Sequence, residues 1–230
     1  MEKKVFLVLT ILMFGLTLGM SAPVLAAPIT CTASFPNGIG SVDDTYLASG
    51  GCVIAQDKLF TNFNLGNLPL TGTVNFNLNI IAGEDIHQVS FNNNYMTGTT
   101  YLWTYTVTDL STTKLIHEIS VDYTNVNPDG TSVLTMSTVP GGVPSPVVLD
   151  KFGPIATCAS GLLSDFSCGT VYSPDLSGVI VNQTLLAHGT ISSVTDTIIE
   201  KATSVPEPGT LLLLGAGMLG VCGVARWRKN

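Results

Sequence analysis

The chain of 230 residues is 45% hydrophobic and 11% charged, and its 16 acidic and 9 basic side chains give a formal net charge of −7 at pH 7. Five of the nine basic residues lie near the two ends, so residues 27–205 hold 14 acidic side chains against 4 basic ones, a formal charge of −10. Such an acidic body repels nucleic acid and anionic lipid, which excludes both as expected partners. Its length is sufficient for one domain with a sizeable core.

Residues 1–26 have the organisation of a secretory signal peptide. A basic start precedes an apolar stretch from Val5 to Met20, and the small residues that signal peptidase reads end at Ala26. We expect cleavage after Ala26, because a cut after Ala27 would place Pro28 directly behind the bond. A retained N-terminal anchor is the alternative. The prediction implies export by the secretion machinery and processing by signal peptidase.

The cysteines also fit an exported protein. Four of the five lie in the body as two locally close pairs, Cys31 with Cys52 and Cys158 with Cys168. Four cysteines permit three pairings, and the short loops favour the sequential one, so we expect two disulfides. A zinc site is disfavoured because there is no CxxC motif and no histidine near either pair. We therefore expect no metal and no cofactor.

The body is rich in residues that alternate between apolar and polar, the pattern of half-buried β-strands. In Thr73 to Ile81, four apolar side chains alternate with three asparagines. A turn at Asn127 to Gly130 predicts a hairpin into the next strand. Further strands are predicted at Tyr101–Thr108, at Leu115–Thr124, at Thr131–Thr138, and in Val179–Glu200 as two strands broken near His188 and Gly189.

The predicted fold class is all-β. No segment of residues 27–204 has a convincing helical period, and threonine, serine, asparagine and glycine dominate between the strands. These features favour an antiparallel two-sheet sandwich over a barrel or a solenoid. The proline-rich stretch at residues 140–146 is interpreted as a loop, because strand-like sequence continues on both sides. We expect residues 27–204 to form a single extracellular domain.

A search of the body for catalytic motifs finds none. There is no HExxH helix, GxSxG elbow, P-loop or EF-hand spacing. We expect His117 to lie buried on the apolar face of its strand, His87 to lie in a solvated loop, and His188 to mark a bend. The adjacent Asp43 and Asp44 are expected to cap or solvate a turn rather than to bind calcium. No catalytic residue is assigned.

The C-terminal residues combine an apolar run with a basic end. The run from Leu211 to Ala225 carries no charge, and together with Gly209 and Thr210 it crosses a bilayer only if the membrane thins locally or the helix ends snorkel. The basic residues Arg226, Arg228 and Lys229 are expected to stop transfer and to stay on the cytoplasmic side. We therefore predict one C-terminal transmembrane helix in the precursor, with the body across the membrane.

A Pro-Glu-Pro triplet precedes the apolar run. Because each proline fixes φ and lacks an amide donor, Pro206, Glu207 and Pro208 are expected to be extended and solvated. The order of triplet, apolar helix and basic cluster resembles the PEP-CTERM sorting signals of exosortase substrates. An ordinary C-terminal anchor that is never cut is the alternative.

The resemblance covers Val205 to Lys229, within a sorting signal that we place at residues 205–230, and it implies a route of sorting. In that family, found in Gram-negative bacteria, the tail holds the precursor transiently in the inner membrane until an exosortase cuts near the triplet and passes the body outward. By resemblance, Pro206, Glu207 and Pro208 form the recognition motif, and exosortase is the partner. The implied destination is the cell surface or the extracellular matrix.

The body itself is similar to a recurrent group of exosortase-dependent surface proteins. The similarity lies in a Gly-Gly-Cys turn at Gly50 to Cys52, in the segment Asp57 to Phe63, and in a later cysteine pair. These motifs imply a shared fold, and no catalytic activity accompanies them.

Two functions remain open on the sequence. The first is a non-enzymatic surface protein that associates with exopolysaccharide or the biofilm matrix. The second is a secreted hydrolase acting on polysaccharide, which would require two carboxylates facing each other in a cleft. Tyr101, Trp103 and Tyr105 share one strand face, for which a place in the core is favoured over an exposed sugar-binding platform.

Overall fold

The computed structural model describes residues 31–81, 84–111, 113–152, 155–164 and 167–202. The predicted signal peptide with its cleavage site at Ala26 and Ala27 lies outside these residues. So does the predicted sorting signal at 205–230, including Pro206 to Pro208 and the basic Arg226, Arg228 and Lys229. Within the described ranges, no helix has the length and apolar character needed to cross a membrane.

Fifteen strands and one five-residue helix make up the described secondary structure. The elements are β1 Ala33–Phe35, β2 Gly40–Asp43, α1 Asp44–Ala48, β3 Val53–Ala55, β4 Lys58–Asn64, β5 Thr73–Ile81, β6 Glu84–Tyr95, β7 Thr100–Asp109, β8 Lys114–Asn127, β9 Ser132–Val139, β10 Val147–Phe152, β11 Ile155–Ser160, β12 Leu162–Ser164, β13 Ser167–Leu176, β14 Gly178–Leu186 and β15 Thr190–Ala202.

The strands form two sheets that pack on each other. The first sheet has the order β1-β3-β4-β7-β14-β9-β10-β11, and the second has the order β12-β13-β8-β15-β6-β5-β2. All described pairs are antiparallel except β1 with β3. The prediction of an all-β fold with two antiparallel sheets is therefore confirmed.

The core lies between the sheets, where the alternating apolar side chains of both meet. In β5, Val74 and Phe76 are buried whereas Asn75 and Asn77 face outward, as the alternation predicts. The largest fully buried side chain is Trp103 of β7, whose ring packs against Phe91 with centroids 5.6 Å apart. Aromatic contacts such as this one join the two sheets across the core.

Two predictions about strand connections have different outcomes. The predicted break near His188 and Gly189 is confirmed, because β14 ends at Leu186 and β15 starts at Thr190. The hairpin predicted at Asn127 to Gly130 is wrong, because β8 and β9 belong to different sheets. The turn residues redirect the chain across the core, which sequence alone cannot distinguish from a return within one sheet.

The sequence also predicts only in part which side chains of β8 face the core. Ile119, Val121 and Tyr123 face the core as expected, but His117 does not. Next to it, Ile199 pairs with Glu118 while Glu200 pairs with Ile116, so β8 carries one extra residue. This bulge turns His117 outward, where its Nδ1 lies 2.8 Å from Asp175 Oδ1.

Both disulfides join the cysteines in sequential pairs. Cys31 and Cys52 have their Cα atoms 5.2 Å apart, and Cys158 and Cys168 have theirs 5.5 Å apart. The second disulfide connects β11, at an edge of the first sheet, to β13 of the second sheet. It therefore fastens the two sheets to each other at one side of the core.

Candidate functional site

Charged side chains are buried at one end of the sandwich, which we call the exit end because β15 finishes there at Ala202. At this end β4 starts at Lys58 opposite the last residue of β7, Asp109. In the other sheet, Glu200 of β15 lies opposite Asp85 near the start of β6. The two sheets therefore bring their charged residues to the same end of the core.

Lys58 is the centre of this arrangement. Its Nζ lies 2.7 Å from Asp57 Oδ1, 3.0 Å from Asp109 Oδ1 and 2.6 Å from Glu200 Oε1. The side chains of Lys58, Asp109 and Glu200 are fully buried, and that of Asp57 is 25% exposed. We call Asp57, Lys58, His87, Asp109 and Glu200 the ion cluster. Since Lys58 and Asp109 belong to the first sheet and Glu200 to the second, the cluster bridges the core.

The electrostatics keep Lys58 charged. Burial by itself would lower its pKa, but hydrogen bonds to Asp57 and Glu200 and the charge of Glu200 outweigh burial, so the pKa lies above its usual value. Burial raises the pKa of the Asp109 carboxyl, and hydrogen bonds from the Ser111 amide and Lys58 offset only part of that rise. The ammonium group is thus a permanent cation among three carboxyl groups.

His87 completes the cluster, contrary to the expectation of a solvated loop. It lies in β6 with 2% of its surface exposed, on the same inward face as Val89 and Phe91. Its Nε2 is 3.5 Å from Asp57 Oδ1 and 3.5 Å from Glu200 Oε2. The alternation of β6 continues from Phe91 back to Asp85, and extending that period in the sequence would have placed His87 in the core.

The segment Asp57 to Phe63 contributes residues both to the ion cluster and to the aromatic core. Lys58 and Phe60 point inward by strand alternation, which would also bring Asn62 inward. Instead, Asn62 has a φ of 53° and the pairing of β4 with β7 shifts there, so Phe63 becomes buried and Asn62 exposed. Asparagine tolerates this left-handed conformation better than most residues. The segment therefore supplies the buried cation Lys58, the irregular pairing at Asn62, and the core residues Phe60 and Phe63.

A second buried polar group, separate from the ion cluster, lies in the middle of the core. Asp196 of β15 accepts a hydrogen bond from the Tyr105 hydroxyl at 2.7 Å and another from Gln183 Nε2. Burial raises the pKa of Asp196 to about 7, although both hydrogen bonds act in the opposite direction. This group also connects the sheets, because Tyr105 and Gln183 belong to the first and Asp196 to the second.

Asp44 and His188, two further residues considered from the sequence, make hydrogen bonds that hold the fold together. Asp44 is buried at the start of α1, where its Oδ2 accepts hydrogen bonds from Asn93 Nδ2 at 2.8 Å and from the Gly72 amide at 3.1 Å. Neighbouring Asp43 is exposed. His188 lies in the connection between β14 and β15, where its amide donates to Ser132 Oγ at 2.8 Å. Among the described residues, Asp57, His87 and Glu200 form the one group with the spacing of metal ligands.

The aromatic residues of β7 belong to the core, as the sequence favours. Tyr101, Trp103 and Tyr105 are 3%, 1% and 0% exposed. An exposed sugar-binding platform built from these three rings is therefore excluded.

A neutral groove of about 510 Å³ lies on the outer face of the second sheet, across β2, β5 and β6. None of its eight lining residues is charged, and their polar side chains are amides and hydroxyls. These side chains line up across the strands, because Ser41 pairs with Asn75, Asn75 with Ser90, and Asn77 with Gln88. Two further grooves, of about 480 and 320 Å³, each have one carboxylate in their walls, Asp129 and Asp43 respectively.

Comparison with known proteins identifies the C-terminal segment. Residues 204–229 match the family model of the PEP-CTERM protein-sorting motif. The predicted resemblance is thereby confirmed, and the chain carries this sorting motif directly after its last strand. No curated protein matches the chain.

Among solved structures, the chain is similar to a family 11 carbohydrate-binding module from Clostridium thermocellum in complex with a beta-1,3-1,4-mixed-linked tetrasaccharide. The identity is 12% and the TM-score 0.25, over 71% of this chain and 94% of that one. A similarity of this size supports no conclusion about the present chain.

The ion cluster predicts a large effect of removing its cation. Lys58→Met leaves three carboxyl groups without their shared partner, so we expect the free energy of unfolding to fall by about 3–5 kcal/mol at neutral pH. Urea unfolding of the exported protein measures this change. Lys201→Met is the control, since Lys201 is exposed and its replacement should change stability by about 0.5 kcal/mol or less. Equal effects of the two substitutions would contradict the role given to Lys58.

Asp196 predicts a pH dependence of stability. Its pKa is about 7 in the folded protein against an ordinary value of 3.8. Between these values the unfolded chain releases a proton that the folded chain keeps, so stability falls as pH rises from about 4 to about 7. Above pH 7 the accumulated loss is constant and amounts to about 4 kcal/mol.

Asp196→Asn should remove this loss, because Gln183 can rotate its amide to accept from the new NH₂ group. We expect the variant to match the wild type near pH 4 and to exceed it in stability at pH 8. Urea unfolding at both pH values tests this, with the exposed Asp43→Asn as control. A constant difference between variant and wild type across the range would show that Asp196 does not titrate as described.

Proposed function

We propose that this chain is an exosortase-sorted surface protein whose sandwich binds extracellular polysaccharide and catalyses no reaction. The observation that carries the proposal is the PEP-CTERM sorting motif at residues 204–229, which begins two residues beyond the end of β15 at Ala202. Such a motif belongs to exported proteins that are processed at the membrane and delivered to the cell surface. The sandwich is then the part that functions outside.

The position of the motif fits release of an intact sandwich. Pro206 lies four positions beyond Ala202, a reach of at most about 14 Å. β15 lies between β8 and β6 in the middle of the second sheet. A cut near the triplet would leave every described strand in the released body, whereas a cut inside β15 would remove a central strand.

The distribution of carboxylates supports a non-enzymatic body. A polysaccharide hydrolase needs two facing carboxylates in a cleft that admits the sugar chain. The carboxylates of Asp57, Asp109 and Glu200 all contact Lys58 Nζ, and those of Asp109 and Glu200 are fully buried. These three neighbouring carboxylates thus share one ammonium group, and two of them are closed off from a substrate. This favours a binding function over the secreted hydrolase.

The neutral groove supports a polysaccharide as the ligand. Amide and hydroxyl side chains both donate and accept hydrogen bonds, as sugar hydroxyls require. The strands space these side chains regularly, about 4.8 Å apart from one strand to the next, so an extended polymer could meet several in succession. Because the body carries ten more acidic than basic side chains, an uncharged polymer suits it better than an acidic one.

The proposal is tested by binding of the mature protein to exopolysaccharide purified from the producing organism, measured by affinity electrophoresis. We expect retardation, and we expect Asn77→Ala/Gln88→Ala to weaken it at least tenfold because two pairs of sugar hydrogen bonds are lost. Thr104→Ala/Thr184→Ala, on the outer face of the first sheet, is the matched control and should bind normally. No retardation of the wild type, or equal weakening by both pairs, would contradict the proposed site.

A further inference from the structure

The ion cluster contains buried polar atoms that the protein leaves without hydrogen-bond partners. Both ring nitrogens of His87 are buried, and neither makes a hydrogen bond with any described residue. The same is true of Glu200 Oε2. The two side chains are 2% and 0% exposed. Leaving such groups unpaired costs about 1–3 kcal/mol each, and more when they are charged. The cluster therefore has buried atoms free to bind a further group.

The charges of the cluster also favour the binding of a cation. Asp57, Asp109 and Glu200 contribute three carboxyl groups, and Lys58 contributes one ammonium group. With all three carboxyls ionised and His87 neutral, the cluster carries a net charge of about −2, which is unfavourable in a largely buried site. Protonation of His87 supplies one positive charge, whereas one divalent cation supplies two.

The spacing of His87, Glu200 and the neighbouring Asp57, whose Oδ1 also accepts from Lys58 Nζ, fits a metal ion. Asp57, His87 and Glu200 each offer a ligand atom, and these atoms lie within 4.8 Å of one another. His87 Nε2 is 3.5 Å from Asp57 Oδ1 and 3.5 Å from Glu200 Oε2. Two ligands held tetrahedrally at about 2.1 Å from zinc are separated by about 3.4 Å. The observed separations are therefore those of a tetrahedral ligand pair.

We propose that Asp57, His87 and Glu200 bind one Zn²⁺ ion. Imidazole nitrogen with carboxylate oxygen is a ligand set that zinc accepts, whereas calcium and magnesium favour six or more oxygen ligands. Glu200 can serve both cations, since its Oε2 faces His87 while its Oε1 contacts Lys58 Nζ. Asp57, the partly exposed member, lies on the side from which the ion enters.

The zinc ion would act as a staple between the sheets. Asp57 directly precedes β4 of the first sheet, and His87 and Glu200 lie on β6 and β15 of the second. Its ligand Glu200 lies two residues before Ala202, the last described residue ahead of the sorting motif. The site thus fixes the last strand at the end where the chain leaves the sandwich. This inference is independent of polysaccharide binding.

The test is calorimetric titration of the mature protein with Zn²⁺ after removal of bound metal by a chelator. We expect one Zn²⁺ per chain and a rise in Tm on binding. His87→Gln should lower the affinity at least 100-fold. His117→Gln is the matched control, because His117 also lies 2.8 Å from a carboxylate but on the outer face, and it should bind zinc normally. Equal affinity of wild type and His87→Gln would overturn the site.

A measurement on the wild type keeps the proposal testable if His87→Gln fails to fold. Co²⁺ added to the metal-free protein should bind stoichiometrically and give the intense visible absorption of four-coordinate cobalt, which Zn²⁺ then removes by competition. No saturable binding of Zn²⁺ or Co²⁺ by the folded wild type would overturn the proposal. It would leave Lys58 as the cation that the carboxyl groups of the cluster share.

Discussion

The ammonium group of Lys58 determines how the two sheets can close at the exit end. Three carboxyl groups from both sheets meet there, and carboxylates buried this close together repel one another unless a positive charge lies between them. Lys58 Nζ has one hydrogen for each of the three. The start of β4, the end of β7 and the end of β15 are therefore fixed relative to one another by a single side chain. Asp196 with Tyr105 repeats this inter-sheet contact deeper in the core.

This constraint connects the fold with sorting. β15 pairs with β6 along one edge and with β8 along the other. Near its end, the ion pair of Glu200 with Lys58 joins it to the first sheet. The sorting motif starts at residue 204, immediately beyond that anchored strand. Residues 31–202 thus hold all the described strands, and residues 204–229 carry the sorting motif.

Strand alternation is a local property, so the sequence predicts β5, β7, the break before β15 and the all-β class. It does not tell which sheet a strand joins, and the turn at Asn127 to Gly130 therefore looks like a hairpin although it crosses the core. Bulges depend on the partner strand, which is why the outward position of His117 is missed. The burial of His87 is missed for another reason. The charged groups around it, Asp57 and Glu200, are distant in sequence, so the alternation of β6 is the local signal that places it in the core, and the polarity of histidine argues against that signal.

The central claim, a folded body released from a C-terminal sorting signal, is tested most directly by the intact mass of the mature protein from the native host. Wild type, Pro206→Ala/Glu207→Ala and a strain without exosortase should be compared in the same cell fractions. We expect the wild type to be released with a mass that ends near the Pro-Glu-Pro triplet, and both altered strains to retain the tail at the membrane. A full tail in all three strains would contradict exosortase sorting and would indicate a permanent anchor.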